Sequence, residues 1–294
     1  MANDEFVGLD ELGEIEYPVL GLTEEEEKDV NKIKVSIMDP APVIILFGAR
    51  TSGKTMTLIR LTRYLRQNGF KVEPDRIFRP SSSTHYQRMC DEFDATIGGN
   101  DIANEGTSAI SFMLVKVMNA NGEPLCQILE APGEHYFDAD HPDRPFPNYI
   151  NEICSINNLK TWVFIVEKDW KDSSTRNKYA QKIIKLNSII DSKDKIIFTC
   201  HKVDKHPALF NNGQPNVKQF FKEIKNQYPG IFENYQNLNP ITRFFRTYRF
   251  DFVPFSAGIF NQTNDGGQTF NQGKDRYPAS LWASIQKSVR GGWF

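Results

Sequence analysis

One octapeptide constrains this chain more than any other stretch: Gly48-Ala49-Arg50-Thr51-Ser52-Gly53-Lys54-Thr55 satisfies the pattern G-x-x-x-x-G-K-[ST] at every fixed position. Its neighbours supply the context the pattern needs. Pro42-Val43-Ile44-Ile45-Leu46-Phe47 is a near-continuous apolar run of strand length, as expected of a buried parallel strand. After the octapeptide, Leu58, Leu61 and Leu65 recur at i, i+3 and i+7 up to Gly69, the periodicity of an amphipathic helix with a glycine stop. In such a strand, loop and helix, the backbone N–H groups of Gly48 to Thr55 and the helix N-terminus wrap a phosphate chain. Lys54 supplies a point charge to the outer phosphates and Thr55 a hydroxyl to Mg²⁺. The stretch therefore predicts a nucleoside-phosphate site.

The rest of the chain limits what that site serves. A formal net charge of −2 over 294 residues argues against a nucleic-acid-coating surface. Cys90, Cys126, Cys154 and Cys200 lie far apart without a C-x-x-C pair, so neither a disulfide framework nor a zinc knot is expected. No basic and apolar leader opens the sequence, and no apolar run approaches the roughly 18 residues of a membrane span. The expectation is a soluble, cytoplasmic protein.

Residues 1 to about 35 are rich in carboxylates and read as a solvated, flexible arm, in which Thr23 and Glu26 match a capping box. Residues 36–294 read as one domain with two insertions, at about 70–106 and 205–250. The first is expected to be extended, with one short helical piece around Tyr86 to Phe93. Ser108 to Met118 and Leu125 to Leu129, joined by Asn119-Ala120-Asn121-Gly122-Glu123-Pro124, predict an antiparallel hairpin. Strands are predicted at Trp162–Val166, Lys195–Cys200 and Asp251–Phe255, with helices around 174–190, 217–227 and 278–289 and a loop over 261–277. Strands alternating with helices predict an α/β chain: a mostly parallel sheet with one antiparallel edge hairpin and helices on both faces, a three-layer P-loop fold.

Four further motifs follow the octapeptide in a telling order: Thr107 before the hairpin, Glu130-Ala131-Pro132-Gly133 at its end, His201-Lys202-Val203-Asp204 after a strand, and Ser256-Ala257-Gly258 after the last strand. In that order they resemble a divergent Ras-like or translation-factor-class P-loop GTPase. The resemblance covers roughly residues 40 to 290, apart from the insertions. It implies binding of GTP and GDP with Mg²⁺, held by Thr55, Thr107 and Glu130, with Gly133 offering its N–H to the γ-phosphate. Thr84 and Ser83 are alternatives to Thr107. Asp204 would accept from the N1–H and exocyclic amine of guanine, a donor pair adenine lacks. The stem of Lys202 would lie along the base, and the N–H groups of Ser256 and Ala257 would meet the guanine O6. A GTP-dependent switch with slow hydrolysis, read by a protein effector or activator, is the implied function. An ATPase, a kinase and a non-hydrolysing nucleotide-bound scaffold are the alternatives.

The chain departs from that pattern at informative places. Glu130 stands where the family has Asp, His201 where it has Asn or Thr, and Arg50 where many switch GTPases have Gly. Glu134 and His135 follow Gly133, and with Arg50 they are the candidates for hydrolysis, His135 ahead of Glu134 as the group that orients water. Glu134, His135, Asp138, Asp140, His141 and Asp143 crowd within ten residues, yet without regular ligand spacing they read as a charged loop rather than a metal site. The Phe/Arg alternation over 244–250 fits a half-buried edge strand at least as well as a stacking platform for nucleic acid.

Overall fold

All five residues of β1, Val43–Phe47, are buried, as required of a strand covered on both faces. The computed structural model describes residues 22–98, 112–239, 243–244, 247–262 and 268–290. A short helix α1 (Glu24–Lys28) precedes β1, and α2 (Lys54–Gln67) follows it. Then come β2 (Lys71–Pro74), α3 (Thr84–Gly98), the hairpin β3 (Met113–Met118) and β4 (Pro124–Glu130), a single turn α4 (Gly133–Tyr136) and α5 (Asn148–Ser155). Strand β5 (Lys160–Glu167), α6 (Ser173–Leu186) and β6 (Lys195–His201) lead to the small hairpin β7 (Phe210–Asn211) and β8 (Gln214–Pro215) and to α7 (Val217–Gln227). The chain closes with β9 (Phe250–Pro254), a second hairpin β10 (Gly258–Gln262) and β11 (Gln268–Gln272), and α8 (Arg276–Val289).

The main sheet has seven strands in the order β2-β3-β4-β1-β5-β6-β9. Strand β1 runs parallel to β4 and β5, β5 to β6, and β6 to β9, while β3 is antiparallel to both β4 and β2. The expected mostly parallel sheet with its antiparallel hairpin is therefore present, with β2 added outside the hairpin as the edge. Phe47 pairs in register with Phe164, and Phe164 with Phe198. Their rings, continued by Phe250, form a ladder at centroid spacings of 5.4, 5.2 and 4.8 Å along one face. Tyr179 of α6 stacks against Phe47, and Phe221 of α7 packs on Phe252 and on Phe232. Offset and edge-on rings bury large areas in fixed orientations, so this layer sets the spacing between sheet and helices. On the other face lie α2 and α8, where Thr161 and Ser288 share a buried hydrogen bond of 2.9 Å.

The helix behind the octapeptide ends as its sequence predicts. Gly69 takes a φ of +82°, and the Gly69 and Phe70 N–H groups bond back to the Arg66 and Leu65 carbonyls at 3.2 and 3.0 Å. Such a left-handed residue closes the last turn at little cost only when it is glycine.

Three local expectations differ from the structure. Residues 71–98 are built into the core rather than extended: β2 pairs with β3 over four residues, and α3 runs from Thr84 to Gly98 and buries Tyr86, Met89, Cys90, Phe93 and Ile97. Polar Ser and Asn flanks hid a helix whose apolar positions keep a regular three-and-four spacing. The predicted loop over 261–277 instead holds β10 and β11, in which Phe260 pairs with Phe270. Each Phe-Asn-Gln triplet supplies one strand, and Gly/Asn-rich composition masked the pairing. In the described part of the acidic arm, Leu22 and Ile33 are buried, and the Thr23–Glu26 capping box is formed. Arg79 fastens this segment through Glu26 and the Lys34 carbonyl.

Candidate nucleotide site

The carboxyl ends of β1, β4, β5, β6 and β9 meet around the octapeptide, which is where ligands bind in open α/β sheets. Gly53 caps α2 with a φ of +93°, and a Cβ there would lie 2.9 Å from His201 Nδ1. Gly48 is equally confined, since a Cβ would fall 2.3 Å from Ser52 Oγ. Thr51 also adopts a positive φ, +62°, so the backbone curls back on itself here. Ser52 Oγ is buried without a hydrogen-bond partner. Lys54, only 5 % exposed, reaches back to the Ala49 carbonyl at 3.1 Å. Burial lowers its pKa, while Glu130 and Glu134 oppose that shift. A buried ammonium that borrows a loop carbonyl is poised for an anion in the loop.

At the floor of this cradle Thr55 Oγ1 donates to Glu130 Oε1 at 2.9 Å. Glu130 is 1 % exposed, and burial pushes its carboxyl up to about 8, with Lys54 and the Thr55 hydroxyl pulling the other way. Its second oxygen, Oε2, is buried without a partner. A hydroxyl and a half-satisfied carboxylate side by side suit a hard cation such as Mg²⁺. Thr107 lies outside the described residues. Its alternatives Ser83 and Thr84 sit at the start of α3.

Gly133 packs directly on the octapeptide. A Cβ at Gly133 would meet Arg50 N at 2.2 Å and the Ala49 carbonyl carbon at 2.4 Å. Arg50, Glu134 and His135 line one cavity of about 370 Å³ together with Arg144 and Val30. The three residues predicted for hydrolysis are thus brought together. His135 is buried, with Nδ1 2.8 Å from the Tyr149 hydroxyl, and burial brings its pKa down to about 4, so its imidazole is neutral. Of the charged loop beyond it, His141 pairs with Asp138 at 3.1 Å, and no group of three metal-ligating side chains forms among the described residues.

The segments 201–204 and 256–258, expected to read a base, are tied to the octapeptide by contacts the sequence did not announce. His201 Nε2 lies 3.3 Å from Thr57 Oγ1, whose own proton goes to the Gly53 carbonyl at 2.8 Å. Nε2 therefore carries hydrogen and donates to Thr57, leaving Nδ1 bare and facing Gly53. Burial holds this ring neutral with a pKa of about 3, and Phe255 stacks on it at 4.9 Å. His201 thus ties the end of β6 to the first turns of α2 through Thr57. Lys202 bridges Glu167 Oε2 at 2.8 Å and the Thr51 carbonyl at 3.3 Å. Val203 N–H bonds to the Phe255 carbonyl, which draws the two base segments together. Asp204 lies on the turn Val203–Lys205, and its carboxylate has no hydrogen bond or ion pair among the described residues. Ser256 is buried, and Ala257 O accepts from Gly273 N–H at 3.1 Å. Thr57, Glu167, Phe255 and Gly273 were missed because each acts through tertiary contact. None carried a visible signal: Thr57 is one of several polar residues in the amphipathic α2.

The aromatic-basic stretch 244–250 contributes Tyr248 and Phe250 to the ring layer of the core rather than to a stacking platform. No helix among the described residues is long and apolar enough to cross a membrane.

No family model and no curated protein sequence matches the chain. Solved structures similar to it are of GTP-binding proteins. A protein described as nucleolar GTP-binding protein 1 of Plasmodium falciparum is 15 % identical with a TM-score of 0.39, over 87 % of this chain and 90 % of that one. The Ski7 GTPase-like domain of S. cerevisiae, bound to GTP, is 13 % identical with a TM-score of 0.40, over 87 % and 51 %. Roco2 RocCORdC of Methanosarcina barkeri, bound to GDP, is 10 % identical with a TM-score of 0.35, over 88 % and 51 %. The chain spans about half the length of the latter two. Strand order, the buried β1 and the loop at its end establish the three-layer α/β P-loop fold.

Proposed function

We propose that this chain binds GTP and GDP with Mg²⁺ and acts as a nucleotide-dependent switch that hydrolyses GTP slowly. The observation that supports it best is the cluster of buried Lys54, half-buried Thr55 and buried Glu130, in which, among the described residues, Lys54 bonds to a loop carbonyl and Glu130 Oε2 has no partner. Gly48 to Thr55 would hold the phosphates, and Thr55, Glu130 and Thr107 the metal. Guanine is favoured over adenine because Asp204 presents two unengaged acceptor oxygens on a turn tied to the phosphate loop through His201 and Lys202. Ser256 and Ala257 would complete the base pocket.

Hydrolysis is assigned to the cavity shared by Arg50, Glu134 and His135. With Nδ1 engaged by Tyr149, Nε2 of His135 is the nitrogen that would address a water, and Arg50, lining the same cavity as Glu134, would offset the charge of the outer phosphate. Ordering of the Thr107 segment and the Gly133 turn by the γ-phosphate would present a surface to a protein effector or activator. The insertion at 205–250 is proposed as part of that surface, in a protein placed in the cytoplasm.

A competition titration of GTP, GDP and ATP in the presence of Mg²⁺ tests the reading. Preference for both guanine nucleotides supports it. Preference for ATP moves the chain to the ATPase or kinase class, and tight GDP binding with no phosphate release from GTP makes it a nucleotide-bound scaffold.

A further inference from the structure

Three residues of one helix face reach the two base-reading segments. Gly53, Thr57 and Arg60 stand at i, i+4 and i+7, so they line up along α2. Gly53 and Thr57 meet His201. Arg60 addresses the other segment. Its side chain is 1 % exposed, and its Nη2 donates to the Gly273 carbonyl at 2.7 Å and to Asp275 Oδ1. Gly273 in turn donates its N–H to Ala257 O at 3.1 Å, and a Cβ on it would sit 3.2 Å from Ser256 O, Ala257 O and Gly258 N. Gly273 therefore lies flat against the Ser256–Gly258 turn, with Arg60 fixing it from behind.

We propose that Arg60 is a positioning residue for base selection: through Gly273 it sets where the Ser256–Ala257 backbone stands relative to the phosphates bound at the N-terminus of the same helix. The inference rests on the guanine-site reading above. Its physical basis is the poor economy of Arg60 as a mere stabiliser. Among the described residues its Nε and Nη1 are buried without a partner, and its one carboxylate, Asp275, is 63 % exposed, so this pair offsets little of the desolvation of a buried guanidinium. What this arrangement achieves is rigidity between two sites. Helix α2 begins at Lys54 and Thr55, and a charge-assisted bond from its second turn to the Gly273 carbonyl removes the freedom of the Ser256–Gly258 turn to drift from the base edge. A base reader misplaced by about 1 Å loses its hydrogen bonds to guanine, whereas phosphate contacts on α2 persist.

The test uses the full chain and three ligands with Mg²⁺: GTP, ATP and inorganic tripolyphosphate. Wild type is compared with Arg60→Gln, Arg60→Lys and Gly273→Ala, each checked for folding by circular dichroism and thermal melting. The expected result is a GTP-to-ATP affinity ratio that falls about tenfold in Arg60→Gln and recovers partly in Arg60→Lys, with tripolyphosphate affinity changed by less than about twofold. Gly273→Ala leaves the buried charge in place but presses on the Ser256–Gly258 turn, so it too lowers the ratio. It keeps the test decisive where Arg60→Gln fails to fold. A wild type that favours guanine, with the ratio unchanged in the folded variants, overturns this inference alone. A wild type without guanine preference overturns the reading of the site as well.

Discussion

Thr55 donates a 2.9 Å hydrogen bond to Glu130, and the second carboxylate oxygen of Glu130 has no partner among the described residues. A proton on that oxygen resolves the imbalance, and under the proposed function a divalent cation would compete with it.

The competition makes stability depend on pH. Burial raises the Glu130 carboxyl to about 8, well above its ordinary value, so between about pH 4.5 and 8 the folded chain keeps a proton that the unfolded chain releases. Ligand-free protein is therefore expected to lose stability as pH rises through that window, by up to about 1.4 kcal/mol per pH unit. Glu130→Gln should flatten this part of the profile. Denaturant melts of both proteins at pH 5, 6, 7 and 8 check it, and parallel profiles would count against the buried protonated carboxyl.

The opposite sign holds at His201. Its folded pKa of about 3 lies below the ordinary imidazole value, so the unfolded chain takes up a proton that the folded chain refuses. The stability this ring contributes is complete above about pH 6.5 and is lost as pH falls toward 3. His201→Asn should make acid unfolding between pH 6.5 and 4 less steep, while costing about 1 kcal/mol near neutrality through the lost bond to Thr57. An unchanged slope would mean that the ring is accessible to protons in the native state.

Gly133 tolerates no side chain. Because the clash of a Cβ at 2.2 Å is with loop backbone and not with a flexible side chain, Gly133→Ala has to displace either the turn or the octapeptide. Mg²⁺-triphosphate affinity is expected to drop tenfold or more. Isothermal titration measures it, and wild-type affinity in the variant would place the Gly133 turn elsewhere in the bound state.

For base selection the expected change sits at Asp204. Replacing one acceptor oxygen by an amide donor in Asp204→Asn sets a donor against a guanine donor, which costs about 1.5 to 3 kcal/mol where the original bond is charge-assisted. GTP affinity should fall roughly tenfold to a hundredfold while ATP affinity barely moves. Equal losses for both nucleotides would remove Asp204 from base reading.

Short-range patterns carried most of the fold. The apolar run of β1, the fixed glycines and Lys54 of the loop, the leucine spacing of α2 and the Gly69 stop each act within a few residues, where sterics and backbone hydrogen bonding are decided locally. The alternating strands and helices restricted the sheet to a mostly parallel one for the same reason. What stayed hidden depends on partners far along the chain. Residues 71–98 and the hairpin over 258–272 have polar, glycine-rich or asparagine-rich flanks, and their structure follows from packing against β3 or pairing between the two Phe-Asn-Gln triplets. At the site, the order of motifs pointed to Lys54, Glu130, His201 and Asp204 as candidates, yet nothing local could show that Thr57 holds His201, that Glu167 holds Lys202, or that Arg60 reaches Gly273 across 213 residues. Those bonds exist because folding brings the carboxyl ends of five strands to one edge.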